Sequence, residues 1–129
     1  MQTIILETLK KKDLKIALFG ATNDSTKYGN IIYRDLKNKN ITVYGINPKA
    51  ITILGDPAYH SIKDIPERPD ILIFVVPPKI TFSLIKEAVE EGYNSFWLQP
   101  GAESDEIIDY LIENKKNYLA NACVMVESR

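Results

Sequence analysis

The sequence predicts an α/β fold, a doubly wound domain in which five parallel strands, in the order 3-2-1-4-5, carry helices on both faces. Three observations lead there. Short aliphatic or β-branched runs alternate along the chain with segments of helical periodicity, the pattern of parallel strands joined by crossover helices. One run, residues 70–76 (DILIFVV), is apolar almost throughout, as a strand covered on both faces must be. The chain of 129 residues, 45% hydrophobic and 26% charged, suffices for one ordinary core. We read residues 1–129 as a single domain.

The elements follow in order. Residues 1–12 form a leading amphipathic helix with Ile4, Ile5 and Leu9 on one face and lysines at its end. Ile16 to Phe19 is the first strand, broken at Gly20. Lys27 to Asn38 repeats apolar residues at helical spacing, turning Ile31, Ile32 and Leu36 inward. The β-branched stretch Ile41 to Ile46 is the second strand. Residues 50–69 are punctuated by glycine and proline, with a brief strand at Ala58-Tyr59 and one helical turn at Ser61 to Ile65. The third strand, residues 70–76, stops at Pro77-Pro78, and a helix follows from Ile80 to Glu91 with Ile80, Leu84, Ile85, Ala88 and Val89 inward and Gly92 past its end. Asn94 to Leu98 is the fourth strand. Ser104 to Lys115 is a helix whose first turn holds Asp105 and Glu106 and whose inner face is Ile107, Ile108, Leu111 and Ile112. Tyr118 to Val126 closes the sheet as a fifth strand. Trp97 and Cys123 lie within apolar strands and read as core.

Right-handed crossovers place the second and third strands on one side of the first and the remaining two on the other. A ligand of such a sheet lies beyond the carboxyl ends, where the strand order reverses, here between the first and fourth strands. Four loops of unusual composition fall on that rim: Gly20-Ala21-Thr22, Asn47-Pro48-Lys49, Val76-Pro77-Pro78 and Gln99-Pro100-Gly101. A strand that stops at glycine and reopens as a helix leaves backbone N–H groups and the positive end of the helix dipole at one point, a geometry that attracts phosphate. The first loop is not the G-x-G-x-x-G fingerprint, because other small and polar residues follow Gly20. Asn23, Asp24, Ser25 and Thr26 are all competent helix caps. No acid follows the second strand to hold the 2′-hydroxyl of NAD; Asn47 and Lys49 stand there instead and suit a phosphorylated ribose. Pro77 and Pro78 have two readings, as a rigid wall along a ligand or as a simple strand stop.

Composition excludes several classes. Sixteen basic against seventeen acidic residues give a net charge of −1, without the basic excess of a nucleic-acid binder. No apolar run reaches membrane-spanning length, and the charges of the N-terminus follow its apolar stretch, the reverse of a secretory signal. Cys123 is the only cysteine and His60 the only histidine, so an internal disulfide and a multi-histidine metal site are both excluded, and a reducing cytoplasm fits. His60 has no partner recognisable in the sequence and reads as a surface or capping residue.

The four loops together resemble the stand-alone CoA-binding proteins, Rossmann-like domains similar to the N-terminal CoA-binding domain of the succinyl-CoA synthetase alpha subunit. The matching residues are Phe19-Gly20-Ala21-Thr22, Tyr28-Gly29, Gly45-Ile46-Asn47-Pro48-Lys49, Ile53-Leu54-Gly55, Tyr59, Asp64-Ile65-Pro66, Asp70, Val76-Pro77-Pro78 and Trp97-Leu98-Gln99-Pro100-Gly101. Thr22 replaces the family's usual serine, and Asn121-Ala122 replaces its Asp-Arg before the cysteine. The resemblance implies binding of coenzyme A or an acyl-CoA, with no catalysis by this chain alone. It implies a cofactor site built from Gly20, Ala21, Thr22, Lys27, Tyr28, Asn47, Pro48, Lys49, Val76, Pro77, Pro78 and Gln99. The alternatives are an NADP-binding unit, a subunit of an ADP-forming acyl-CoA ligase that needs a partner, and a ligand-sensing interaction domain. Self-association and a partner subunit both stay open.

Overall fold

The computed structural model describes residues 2–129. Strand β1 (Lys15–Phe19) shows how the molecule is layered: the strand period of two sends Ile16 and Leu18 into one core and Ala17 and Phe19 into the other. The first core is closed by helices α1 (Gln2–Thr8), α2 (Tyr28–Asn38) and the short α5 (Val124–Glu127), through Ile5, Ile32, Leu36 and Val124. The second is closed by α3 (Pro78–Glu90) and α4 (Asp105–Glu113), through Ile85, Ala88, Ile107 and Leu111. Helices therefore cover both faces, as the alternating pattern predicts. Within the second core Phe19 stacks on Phe74 with ring centroids 4.5 Å apart.

The sheet differs from the expected one. It has seven strands and is mixed, in the order β3 (Thr52–Ile53), β4 (Asp56–Tyr59), β2 (Thr42–Ile46), β1, β5 (Ile71–Phe74), β6 (Ser95–Leu98), β7 (Asn117–Ala120). All neighbours are parallel except β3 and β4. In the numbering of the five expected strands the order is 2-1-3-4-5, because β5 pairs with the free side of β1 rather than lying beyond β2.

Two physical facts account for the correction. Ile71, Leu72, Ile73 and Phe74 are all fully buried, a state that an edge strand cannot offer. The outer edge of β2 is meanwhile occupied by β4, which is turned back from β3 by Leu54 and Gly55 at φ +49° and +86°. Two successive left-handed residues make the hairpin turn whose twist matches its strands. The Tyr33 hydroxyl of α2 donates to Asp56 at 2.7 Å and anchors this hairpin; burial, and then that bond, raise the Tyr33 pKa.

The C-terminal strand is also shorter than expected. It ends at Ala120, Asn121 turns through φ +60°, and α5 occupies Val124–Glu127 where strand was predicted. Trp97 is fully buried, as expected, and donates to the Ala122 carbonyl at 3.0 Å. At the other end, Ile5 is buried but Ile4 is half-exposed, and the described part of the leading helix ends at Thr8; Met1 lies outside the described residues.

The reversal of strand order now falls between β1 and β5 rather than between β1 and β6. The carboxyl end of β1 remains at the switch point.

Candidate functional site

The end of β1 is built by two glycines. Gly20 has φ +103°, and a Cβ there would stand 2.8 Å from Val75 Cγ1 and 3.1 Å from the Val75 carbonyl oxygen, so the crossing of the β1 and β5 ends admits no side chain. At Gly29, in the first turn of α2, a Cβ would stand 1.9 Å from the Gly20 carbonyl oxygen. The helix thus rests directly on the loop, the close helix–strand packing that the last glycine of a dinucleotide fingerprint provides elsewhere.

Three asparagines hold the loop between these glycines. Asn47 Nδ2 donates to the Ala21 carbonyl at 3.0 Å, while its Oδ1 accepts from the backbone N–H groups of Lys49 and Ala50. Asn30, almost fully buried, donates to the Thr22 carbonyl at 2.9 Å. Asn23 donates to the Thr52 carbonyl and accepts from the Leu54 N–H, joining the loop to the hairpin. Within the loop, Thr22 Oγ1 accepts from the Asp24 N–H, and Asp24 accepts from both the hydroxyl and the N–H of Thr26. The Thr26 hydroxyl, and then its N–H, hold the Asp24 carboxyl below the usual carboxylate range.

These bonds divert the expected caps away from α2. Lys27 is the cap residue, and no side chain bonds to the helix end. The positive end of an eleven-residue helix opens on the rim beside Gly20, with Lys27 and the two-thirds exposed Tyr28 around it.

Two hollows flank the meeting of β1 and β5. A cleft of about 210 Å³ is bordered by Gly20, Ile46, Asn47, Pro48, His60 and Val76, with Ile80 and Leu84 of α3 completing an apolar wall. A smaller hollow of about 130 Å³ is bordered by Tyr28, Val75, Gln99, Pro100 and Cys123. Gln99 is 3% exposed; its Oε1 accepts from the Val124 N–H at 2.8 Å and its Nε2 faces Cys123 Sγ at 3.6 Å, so it holds the start of α5 under this hollow.

Eight of the twelve expected site residues border a hollow or stand exposed at the carboxyl ends of the strands. Gly20, Asn47, Pro48 and Val76 border the cleft, Tyr28 and Gln99 the smaller hollow, and Lys27 and Lys49 are exposed next to Tyr28 and Pro48 in the chain. The other four line neither hollow. The Ala21 side chain is fully buried, and Thr22 is engaged in the loop's own bonds. Pro77 and Pro78 are the cap and first residue of α3, where the lost N–H costs nothing, so the strand-stop reading describes their local role.

Residues that the sequence reading did not place in the site also appear. Ile80 turns half-exposed to the cleft instead of the core, His60 borders the cleft, and Cys123 is half-buried beside the smaller hollow rather than inside a strand. Among the described residues no cluster of three or more His, Cys, Asp or Glu could hold a metal ion.

Comparison with known proteins gives the arrangement a family. The chain is 46% identical over 76 residues to an ADP-forming acetate–CoA ligase I of Archaeoglobus fulgidus, a match covering 59% of this chain and 10% of the ligase. It is 37% identical over 78 residues to the alpha subunit of an ADP-forming acetate–CoA ligase II of Pyrococcus furiosus, covering 60% of this chain and 17% of that subunit. The chain thus spans under a fifth of either curated relative. A solved structure of a conserved hypothetical protein from Pyrococcus furiosus superposes with a TM-score of 0.86 at 45% identity, over 88% of this chain and 98% of that one. Residues 14–129 match the family model described as a CoA binding domain, and the chain belongs to that family.

Proposed function

We propose that the chain binds coenzyme A or an acyl-CoA along the carboxyl rim and performs no catalysis alone. The observation that carries this reading is the uncapped N-terminus of α2 beside Gly20, with a cleft on one side and a hollow on the other. Because Gly20 and Gly29 let the start of α2 rest directly on the end of β1, the free N–H groups of the helix start are held at the rim, where they suit a diphosphate. The apolar cleft suits the adenine ring, and the exposed Lys49, which follows the cleft residue Pro48, suits the phosphorylated ribose. The hollow beside Cys123 lies on the other side of the Val75–Val76 crossing and suits the thiol end.

On this reading Gly20, Ala21 and Thr22 shape the diphosphate loop, Lys27 and Tyr28 flank it, and Asn47, Pro48 and Lys49 serve the adenosine end. Val76, Pro77 and Pro78 run along the ligand, and Gln99 lies under its far end. We place the protein in the cytoplasm as a single ligand-binding domain, which accords with its lone free cysteine. Among the described residues no helix is long and apolar enough to cross a membrane.

The ligase relatives support a second reading, a subunit whose partner supplies the catalytic groups. A thermal-shift series with CoA, 3′-dephospho-CoA, NAD and NADPH tests the first. The expected outcome is a rise in melting temperature with CoA that exceeds the other three. A shift with NADPH and none with CoA at millimolar concentration would reverse the assignment. Acyl-CoA formation from acid, ATP and CoA only after a partner chain is added would establish the second reading.

A further inference from the structure

The only histidine of the chain stands where its sequence context gave no hint of a role. Strand β4 runs parallel to β2 in a register that pairs Ile46 with Tyr59, and the Asn47 N–H donates to the Tyr59 carbonyl at 2.9 Å. One residue further along both strands, this sets His60 abreast of Asn47 and next to the Pro48-Lys49 turn. Nine residues border the cleft there, and His60 is the one ionisable side chain among them; the others are Gly20, Asn47, Pro48 and five apolar residues. Among the described residues, neither His60 nor Lys49 forms a salt bridge.

Resting on the CoA reading above, we infer that His60 is a specificity-determining residue: together with Lys49 it recognises the 3′-phosphate on the ligand's ribose and so selects CoA over its dephosphorylated form. The cleft, at about 210 Å³, is smaller than a pocket for a whole cofactor and takes one part of it. Its apolar walls favour a ring system inside. A hydrogen-bond donor at its mouth favours an anion outside, and an imidazole N–H meets that need. Lys49 alone presents a flexible, solvated point charge. A second donor from a neighbouring strand fixes the direction from which the phosphate is met.

Calorimetric titration of CoA and of 3′-dephospho-CoA into the wild-type protein, His60→Ala and His60→Lys tests this. His60→Ala is expected to weaken CoA by about three- to tenfold while changing dephospho-CoA by less than about twofold, as for a partly solvated charge-assisted contact. His60→Lys is expected to keep the preference for CoA. Equal losses on both ligands, no loss on either, or a Lys variant that behaves like the Ala variant would each overturn the assignment. Wild-type protein that binds neither ligand would overturn the CoA reading itself, an outcome distinct from these three. His60 is exposed, and an unchanged melting temperature in the variants confirms that folding is not the cause.

Discussion

At the amino ends of β5 and β6 a hollow of about 360 Å³ is lined by Arg68, Asp70, Tyr93 and Asn94, whereas the cleft at the carboxyl ends measures about 210 Å³. The larger of the two has its charges already engaged. Asp70 accepts from Lys11 Nζ at 2.7 Å and from the Lys15 N–H at 2.9 Å, tying the approach to β1 to the start of β5. Arg68 donates to the Glu91 carbonyl at 2.8 Å and lies 3.9 Å over the Tyr93 ring, and Lys116 donates to Asn94 at 2.8 Å. At the carboxyl rim the bonding runs the other way. Side-chain amides hold the backbone there, while Lys27, Lys49 and His60 make no salt bridge among the described residues. Volume alone favours the amino end of the sheet, whereas the charged groups that form no salt bridge among the described residues stand at the carboxyl rim, where we propose the ligand binds.

The most severe way to break this contrast is Gly29→Ala. With the Gly20 carbonyl oxygen 1.9 Å from the new methyl group, the helix must leave the strand end. The expected cost is about 3 kcal/mol of stability or more, read from urea unfolding, with loss of CoA binding in whatever fraction stays folded. Next in size is the pair Lys49→Ala and Arg68→Ala. If the carboxyl rim is the site, Lys49→Ala weakens CoA by roughly ten- to a hundredfold in calorimetry and leaves the melting temperature unchanged. Arg68→Ala should do the reverse, lowering stability slightly with no change in affinity. Equal affinity loss in both variants would erase the distinction between the rims.

Much of this rim was legible in the sequence, for reasons that particular residues make clear. Glycine and proline after strands are local signals, so Gly20, Asn47-Pro48 and Pro77-Pro78 could be placed on the carboxyl ends from the chain alone. The strand order was not local. The apolar run of β5 already called for a central position, yet a template of right-handed crossovers assigned it an edge; burial of all four residues decides the matter in favour of composition. The β3–β4 hairpin hid because its turn uses Leu54 in a left-handed conformation, which a leucine does not advertise. Asn23 braces that turn from another loop. Cys123 was misread because it reaches the rim through a chain reversal at Asn121 that no neighbouring residue encodes, whereas His60 is exposed as expected and its place beside the cleft is set by strand register.

A smaller effect separates bracing from binding on the carboxyl rim itself. Asn47 joins three backbone groups, and its removal leaves the Ala21 carbonyl and two N–H groups to water. Asn47→Ala should cost about 1 to 2 kcal/mol of stability, because the site is only half-buried and solvent replaces part of what is lost. Its effect on CoA should follow from the loosened loop, appearing with dephospho-CoA as strongly as with CoA. A loss confined to CoA would mean that the amide meets the 3′-phosphate directly.

The smallest expected effect concerns Asp24, the acid nearest the start of α2. Its carboxylate is held below the usual range by the hydroxyl and N–H of Thr26, so the folded state binds a proton less readily than the unfolded chain. The stabilisation this gives is present above the unfolded value of 3.8 and is lost as pH falls through the lower folded value. Melting temperatures recorded from pH 6 down to pH 2.5 should therefore show a gap between wild type and Asp24→Ala that closes below pH 3.8. The gap should be small, since the carboxylate is exposed and screened by solvent. A gap of constant size across that interval would mean that Asp24 supports the loop through its shape rather than its charge. The loop would then owe its order to the asparagine clamps alone, which do not titrate, and the open end of α2 would keep its geometry into acid.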